Sequence, residues 1–410
     1  SRLMQHQPAV AGEPVVLIAD GVFIITQRAS LSSKILQEHS PGAWAEKRRT
    51  IMAFELEKLF ADVFAPLHGD VVTIMYDLPH GEIRDHDEWK ERRKMAEEWR
   101  RQIVAFSKSY GVLVNPIVTY RATGSDNSDM PEYGMCRGER IRLEDIIRES
   151  TVILSMPQYS ASAPLMAFAK KHGHLRVASM PMVTKSLEET GLSADYKEVA
   201  VACARLTSLF DRADGIDVTF STGHSCYFDI SDHKPAFQDN GLLHPGTRED
   251  ALKFANLPAG EVCTCPNEAG NNRTAGEIPA AIEGETIVFV VKNNQIIDVK
   301  GEGPIAAEKR QEFHEEAALR SIAEVAIGCN DKAVVTGNIL EDEKAGFHWA
   351  YGRSDHLGGK VGVKDFTSPD KVHHRDIVYA KGNPIVCTRL DFVFPDQTRK
   401  TAITDGVLCV

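Results

Sequence analysis

The run VVTIMYDLPHGEIRDHDEWKERRKMAEEWRRQIVAFSKSYGVLVNPIVTY, Val71 to Tyr120, decides the fold. Its first six residues, Val71 to Tyr76, are β-branched or apolar and read as a buried strand. Glu88 to Tyr110 then has the spacing of an amphipathic helix, and Gly111 stands where a helix needs a residue that accepts a left-handed conformation. Val112 to Tyr120 returns to strand composition. A strand, a helix and a second strand over about fifty residues form a crossover unit, which predicts parallel pairing and an α/β class. Lys90 to Arg101 is rich in cations, but Glu91, Glu97 and Glu98 dilute them, so the run reads as a solvated helix face.

The alternation continues on the C-terminal side. Thr151 to Met156 and Arg176 to Met180 read as strands, Ala163 to His172 as a helix ending at Gly173, and Lys197 to Asp211 as a helix before the strand Ile216 to Ser221. The texture changes around Asp239 to Gly246. The expectation is an N-terminal α/β domain over residues 1–240 and a C-terminal α+β metal-binding catalytic domain over 241–410. In the second domain, Thr286 to Lys292 and Gln295 to Lys300 read as a hairpin joined by Asn293 and Asn294, residues that tolerate left-handed turns. Glu308 to Ile327, rich in Ala and Glu and followed by Gly328, reads as a long helix.

Bulk composition narrows the function classes. A 410-residue chain with 43% hydrophobic and 26% charged residues is an ordinary globular protein. Its net charge of −11 argues against duplex nucleic acid or an anionic membrane as the main partner. Val15 to Ile25 is too short, and too interrupted by Asp20 and Gly21, to span a bilayer, and is expected to be a buried strand. The first ten residues read as a loose terminus without a secretory signal. Eight scattered cysteines do not form a disulfide framework, and Cys263 and Cys265, one residue apart, are no zinc motif, so reduced thiols in a cytoplasmic protein are expected.

Four C-terminal segments hold polar groups that local structure does not need. They are NLPAGEVCTCPNEAGNN with Glu261, IAEVAIG with Glu324, GNILEDEKAGFHWAYGRSDHLGG with Glu343 and His348, and VHHRDIVY with His374 and Asp376. His374 and Asp376 lie two residues apart in a strand-like run, so both side chains share one face while His373 points away. His348, between Phe347 and Trp349, projects from a buried strand, and Glu261 opens the strand Val262 to Cys265 after a Pro-Ala-Gly turn. Each has an ordinary structural explanation singly, but a carboxylate amid apolar residues, as at Glu324, needs a partner. Together the five supply the nitrogen and oxygen donors that zinc, manganese, cobalt or iron accept.

These segments, in this order, resemble the thermophilic-type metallopeptidase family that includes aminopeptidase T. NLPAGEV, TGNILEDEK and the late His-x-Asp carry the resemblance, over roughly residues 251–380. It implies a homodimeric exopeptidase holding two divalent ions (Zn, Mn or Co) on Glu261, Glu324, His348, His374 and Asp376, with Glu343 in an acid/base role. The substrate would be a peptide or small molecule. One position departs: the family has a tyrosine about seven residues after the first histidine, where this chain reads Arg353-Ser354-Asp355-His356. Tyr351 would face the opposite side of its strand, so His356 or Asp355 would fill that place, and His356 joins Glu343 as a catalytic candidate. The departure points to a small amide or an aromatic or heterocyclic amine as substrate.

The same superfamily contains ring-cleaving enzymes similar to 2,5-dihydroxypyridine dioxygenase, which use one iron(II) on two histidines and one aspartate. His348, His374 and Asp376 would serve equally, and Pro266-Asn267-Glu268 resembles those enzymes as well. A third reading is a degenerate, metal-free scaffold. Charge balance ranks hydrolysis first: three carboxylates around one divalent ion leave a buried negative charge, whereas two ions with a bridging hydroxide reach neutrality.

Overall fold

The computed structural model describes residues 16–19, 22–25, 54–246, 253–368 and 371–410. Ser1–Met52 and Ala53–Val410 are separate compact units. In the first, Val16–Ala19 pairs antiparallel with Val22–Ile25, so the run expected as one strand contributes two; its burial lies outside the described residues.

The second unit is built on three sheets. The first runs Phe254–Asn256, Arg176–Ser179, Val152–Ser155, Val71–Leu78, Val118–Arg121, Tyr133–Cys136 and Glu139–Arg142. Its first five strands are mutually parallel, as crossover helices require, and the last two add an antiparallel hairpin. The predicted strand Val112 to Tyr120 is two strands, Leu113–Val114 and Val118–Arg121, both against Val71–Leu78. Pro116, which has no N–H for a ladder, stands in the gap.

The crossover helix Asp87–Tyr110 buries Trp89, Arg92, Met95, Ala96, Trp99 and Ile103, a three-to-four residue spacing that makes one stripe. It stops at Gly111, whose φ of 66° is the left-handed cap expected from the sequence. The basic run is solvated at Lys90, Lys94 and Arg101, but Arg92 is not. Its guanidinium is buried and donates from Nε to Val183 O at 2.8 Å and from Nη1 to Gln158 Oε1 at 2.7 Å. The i, i+3 spacing to Trp89 and Met95 puts it on the apolar stripe.

The second sheet is antiparallel, in the order Gln295–Lys300, Glu285–Lys292, Ala275–Ile282, Ser225–Asp229, Gly215–Phe220, Cys387–Val393, Arg399–Thr404 and Val407–Leu408. It contains the expected hairpin, with Asn293 and Asn294 at φ of 51° and 59°. The third sheet, also antiparallel, runs Phe237–Asp239, Glu261–Thr264, Ile322–Gly328, Phe347–Gly352 and His374–Val378. One face packs an aromatic layer in which Phe289 meets Trp349 and Tyr351, and Phe220 meets Phe347 and Tyr379. The Trp349 indole donates to Tyr379 Oη, which donates to Pro279 O, so these buried polar atoms are satisfied.

Here one expectation fails. The long helix over Glu308 to Ile327 is a helix over Pro304–Glu315, a short 3-10 turn over Ala317–Arg320, and a fully buried strand over Ile322–Gly328. The β-branched residues Ile322, Val325 and Ile327 fit a central strand with neighbours on both sides, and that pairing overrides the helical composition upstream. Glu324 therefore belongs to the sheet.

Candidate metal centre

All five ligand candidates lie on the third sheet. Residues directly opposite one another in an antiparallel pair share a face. Glu324 stands opposite Ala350, which stands opposite Asp376; Ala326 opposes His348, and Gly352 opposes His374. Glu261 opposes Gly328 on one side and Asp239 on the other. The face that carries the acids and histidines thus has alanine or glycine between them, leaving room over the sheet. Gly328 has a second use. A Cβ there would lie 2.3 Å from Glu343 O, so only glycine lets the Glu343–Ala345 turn close onto the strand.

That turn arrives from a loop fixed at several points. Asn338 caps the short helix Ile339–Asp342, Asp342 accepts from the backbone N–H groups of Thr336 and Gly337, and Glu341 Oε1 accepts from Gly191 N at 2.7 Å. Asn330 N donates to Lys344 O. The loop delivers Glu343, as expected, and also Lys344, to which sequence reading gave no role.

Lys344 has no exposed side-chain surface. Its Nζ donates to Glu261 Oε1 and to Glu343 Oε1, each at 2.5 Å. His348 Nε2 is 3.2 Å from Glu261 Oε2 and 3.8 Å from Glu324 Oε1. His374 Nε2 is 2.8 Å from Glu324 Oε2 and 3.5 Å from Asp376 Oδ1. Two overlapping acidic groups result, Glu261 with Glu343 and His348, and Glu324 with His348 and Asp376.

The donor set fits a cation. His348 Nδ1 lies 3.3 Å from Gly346 O and His374 Nδ1 2.8 Å from Arg353 O. A carbonyl oxygen only accepts, so each Nδ1 carries the proton, and in the neutral ring each Nε2 turns a lone pair toward the carboxylates, the tautomer metal-binding histidines adopt. The separations of 2.8, 3.5 and 3.8 Å among the Nε2 and carboxylate atoms bracket the edges of about 3.0 to 3.4 Å in a coordination shell with bonds of about 2.1 Å. Glu261 Oε2 and Asp239 Oδ1 are buried and have no hydrogen-bond donor.

The charges are strongly coupled. Burial alone would raise the Glu261 carboxyl, but Lys344 and His348 outweigh it and hold it at about 2. Burial would lower His348, yet Glu261, Glu324 and Glu343 raise it to about 9. Asp376 is held at about 2 by His374 despite its burial. Glu343 goes the other way, to about 8, because burial and the neighbouring Glu261 and Asp376 outweigh Lys344.

The two remaining candidates lie at the margin of the cluster. His356 stacks edge-on against His374 with ring centroids 4.8 Å apart, and Asp355 is tied to Arg353 at 2.6 Å. Tyr351 is on the other face of the sheet among Phe289, Phe313 and Trp349. Glu268 reaches the His356 loop, accepting from Ser354 Oγ at 2.8 Å and Lys360 N at 2.6 Å. Besides Lys344, sequence reading passed over Asp239, which it placed only at the change of texture that marks the domain boundary. Its one signal was an acidic residue following the apolar Ala236 and Phe237. For Lys344 the signal was a single cation directly after the three acids Glu341, Asp342 and Glu343, four residues before His348.

No family model matches the sequence, and no curated protein is significantly similar to it. Among solved structures, the 2,5-dihydroxypyridine dioxygenase of Pseudomonas putida KT2440 superposes with a TM-score of 0.58 at 14% identity, covering 87% of this chain and 97% of that one. The likeness to that dioxygenase is one of fold, a mixed α/β architecture; within it, this chain carries a buried His/Glu/Asp group that could hold a metal ion.

Proposed function

We propose that this chain is a mononuclear iron(II) dioxygenase that opens the ring of a hydroxylated aromatic or heterocycle. This reverses the ranking that charge balance gave from sequence, and Lys344 carries the reversal. The earlier count set three carboxylates against one ion and found a surplus of negative charge; it omitted an ammonium held by Glu261 and Glu343. With that charge included, and with Glu343 protonated because burial and the neighbouring Glu261 push it up to about 8, Lys344 and one divalent ion balance Glu261, Glu324 and Asp376. A second ion on Glu261, Glu343 and His348 would sit against the like charge of the Lys344 ammonium, which both acids already hold. It would also compete for His348 Nε2, because His348 Nδ1 is already engaged by Gly346 O.

The residues we assign to the ion are His348, His374 and Asp376, two histidines and a carboxylate, the donor pattern of oxygen-activating iron(II) sites. When bound, iron(II) supplies the electron transfer that lets dioxygen react with a closed-shell ring. The chain's own residues do the rest. Gly346 O and Arg353 O hold the imidazoles in the required tautomer. Glu324, within 2.8 Å of His374 Nε2, is an adjacent acceptor for a donor group of the ion's shell or of the substrate. Lys344 fixes Glu261 as a carboxylate, with Glu343 beside it as a neutral acid. His356, over the edge of His374, is the residue we assign to take a ring hydroxyl proton.

The test is metal content and oxygen uptake together. Protein purified from iron-replete medium should hold one iron per chain and consume oxygen with a dihydroxypyridine or dihydroxybenzoate panel. Two equivalents of zinc, manganese or cobalt, with hydrolysis of an amide panel, would return the dinuclear hydrolase to first place. The acidic group Glu261, Glu343 and His348, with Glu261 Oε2 lacking a donor, is what that second reading rests on.

A further inference from the structure

The amphipathic helix Tyr196–Phe210 packs against the Phe237–Asp239 and Glu261–Thr264 strands, and two free thiols meet where its buried stripe faces the residue after the Ile322–Gly328 strand. Cys203 Sγ lies 3.3 Å from Cys329 Sγ. Cys203 is fully buried on the helix stripe, between Val199 and Leu206, whereas Cys329 is partly exposed. The other six cysteines enter no thiol–thiol contact among the described residues. We propose that Cys203 and Cys329 form a disulfide on exposure to peroxide, a reversible cross-link that fastens the helix to the strand end and perturbs the metal site.

The chemistry balances with peroxide as the sole oxidant. The Cys329 thiol gives up its proton and its sulfur attacks one peroxide oxygen; the O–O bond breaks, leaving a sulfenic acid and one water. The Cys203 thiol then attacks that sulfenic sulfur; an S–S bond forms, the S–O bond breaks, and a second water leaves. Two thiols are oxidised and one peroxide is reduced to two waters. The partly exposed partner meets the oxidant first, and the buried partner resolves it.

The consequence follows from what the two thiols touch. A disulfide has an S–S distance of about 2 Å, so the sulfur atoms must close by more than an ångström. Cys203 Sγ lies 3.7 Å from both Glu261 O and Asp239 O. Cys329 N donates to Gly260 O at 2.7 Å, and the next residue, Asn330, donates from its N to Lys344 O at 3.1 Å. Drawing the thiols together therefore pulls on the backbone of Gly260, Glu261 and Lys344. That second step rests on the metal reading above, whereas the cross-link itself does not.

The full-length reduced protein, titrated with hydrogen peroxide and mapped by non-reducing peptide mass spectrometry, should yield one linked Cys203–Cys329 peptide pair. Dithiothreitol should remove it, and Cys329→Ser should not form it. Over-oxidation of Cys329 to sulfinic acid without a linked peptide, or a linkage between other cysteines, overturns the proposal. Iron(II) affinity of the cross-linked protein should fall at least tenfold and recover on reduction, while Cys203→Ser stays insensitive to peroxide. An unchanged affinity overturns the coupling to the site. A reduced protein that binds no metal overturns the metal reading instead and leaves the mapped cross-link standing.

Discussion

Lys344 Nζ lies 2.5 Å from Glu261 Oε1 with no part of its side chain exposed. A buried ammonium persists only where carboxylates compensate it, and the reverse holds for the carboxylates. Lys344→Met should leave Glu261 and Glu343 uncompensated and destabilise the metal-free protein by about 3–5 kcal/mol, read from denaturant unfolding. Added manganese or zinc should restore part of the loss. A variant as stable as the parent, with and without metal, would contradict this role.

Glu261 and Glu324 should separate under mutation. Glu261 is held by Lys344, whereas Glu324 touches His374 directly. Glu261→Gln should keep close to one equivalent of iron, and Glu324→Gln should bind it about 10–100-fold more weakly, the usual cost of losing a carboxylate beside the ligand atoms. His374→Ala should lose more than either. Elemental analysis with a chelator competition reads all three, and equal loss in the two glutamine variants would favour a shared ligand role for both acids.

Far from the site, Asp70 and Arg176 form a buried pair at 2.5 Å, with Asp70 also accepting from Leu67 N and Thr151 Oγ1. Burial raises the Asp70 carboxyl, but these partners outweigh it and lower the group below its ordinary value. A carboxyl lowered in the folded state adds stability that is present above the unfolded value of about 3.9 and disappears as pH falls through the folded one. Asp70→Asn should therefore cost about 3–5 kcal/mol at pH 7, and the difference from the parent should shrink as pH drops below about 4. Urea unfolding at several pH values measures it; a pH-independent difference would mean the pair acts through packing alone.

Glu268 spans from the segment after the Glu261–Thr264 strand to the loop that carries His356. Glu268→Ala should raise amide hydrogen exchange across residues 354–362 and leave iron content unchanged. Substrate affinity should fall more than affinity for the metal. Unaltered exchange in that loop would show that the Arg353 and Asp355 contacts hold it without help.

Much of the architecture could be read locally. The crossover unit followed from the composition of Val71 to Tyr120, its helix stop from Gly111, and the hairpin turn from Asn293 and Asn294. The shared face of His374 and Asp376 followed from strand periodicity alone, and both turn toward Glu324 and His348. The strand Ile322–Gly328 was not legible, because an apolar seven-residue run does not reveal whether neighbours are waiting on both of its edges.

What the sequence by itself determined was therefore the set of elements and most of the donor groups, since side-chain periodicity and turn chemistry are properties of adjacent residues. Tertiary structure decided which strands lie side by side, and with it that Asp239 opposes Glu261 and that Lys344 is pressed into the same wall. Those groups lie 22 and 83 residues from Glu261 along the chain. Their effect on its charge falls off with distance in space, which no local pattern encodes.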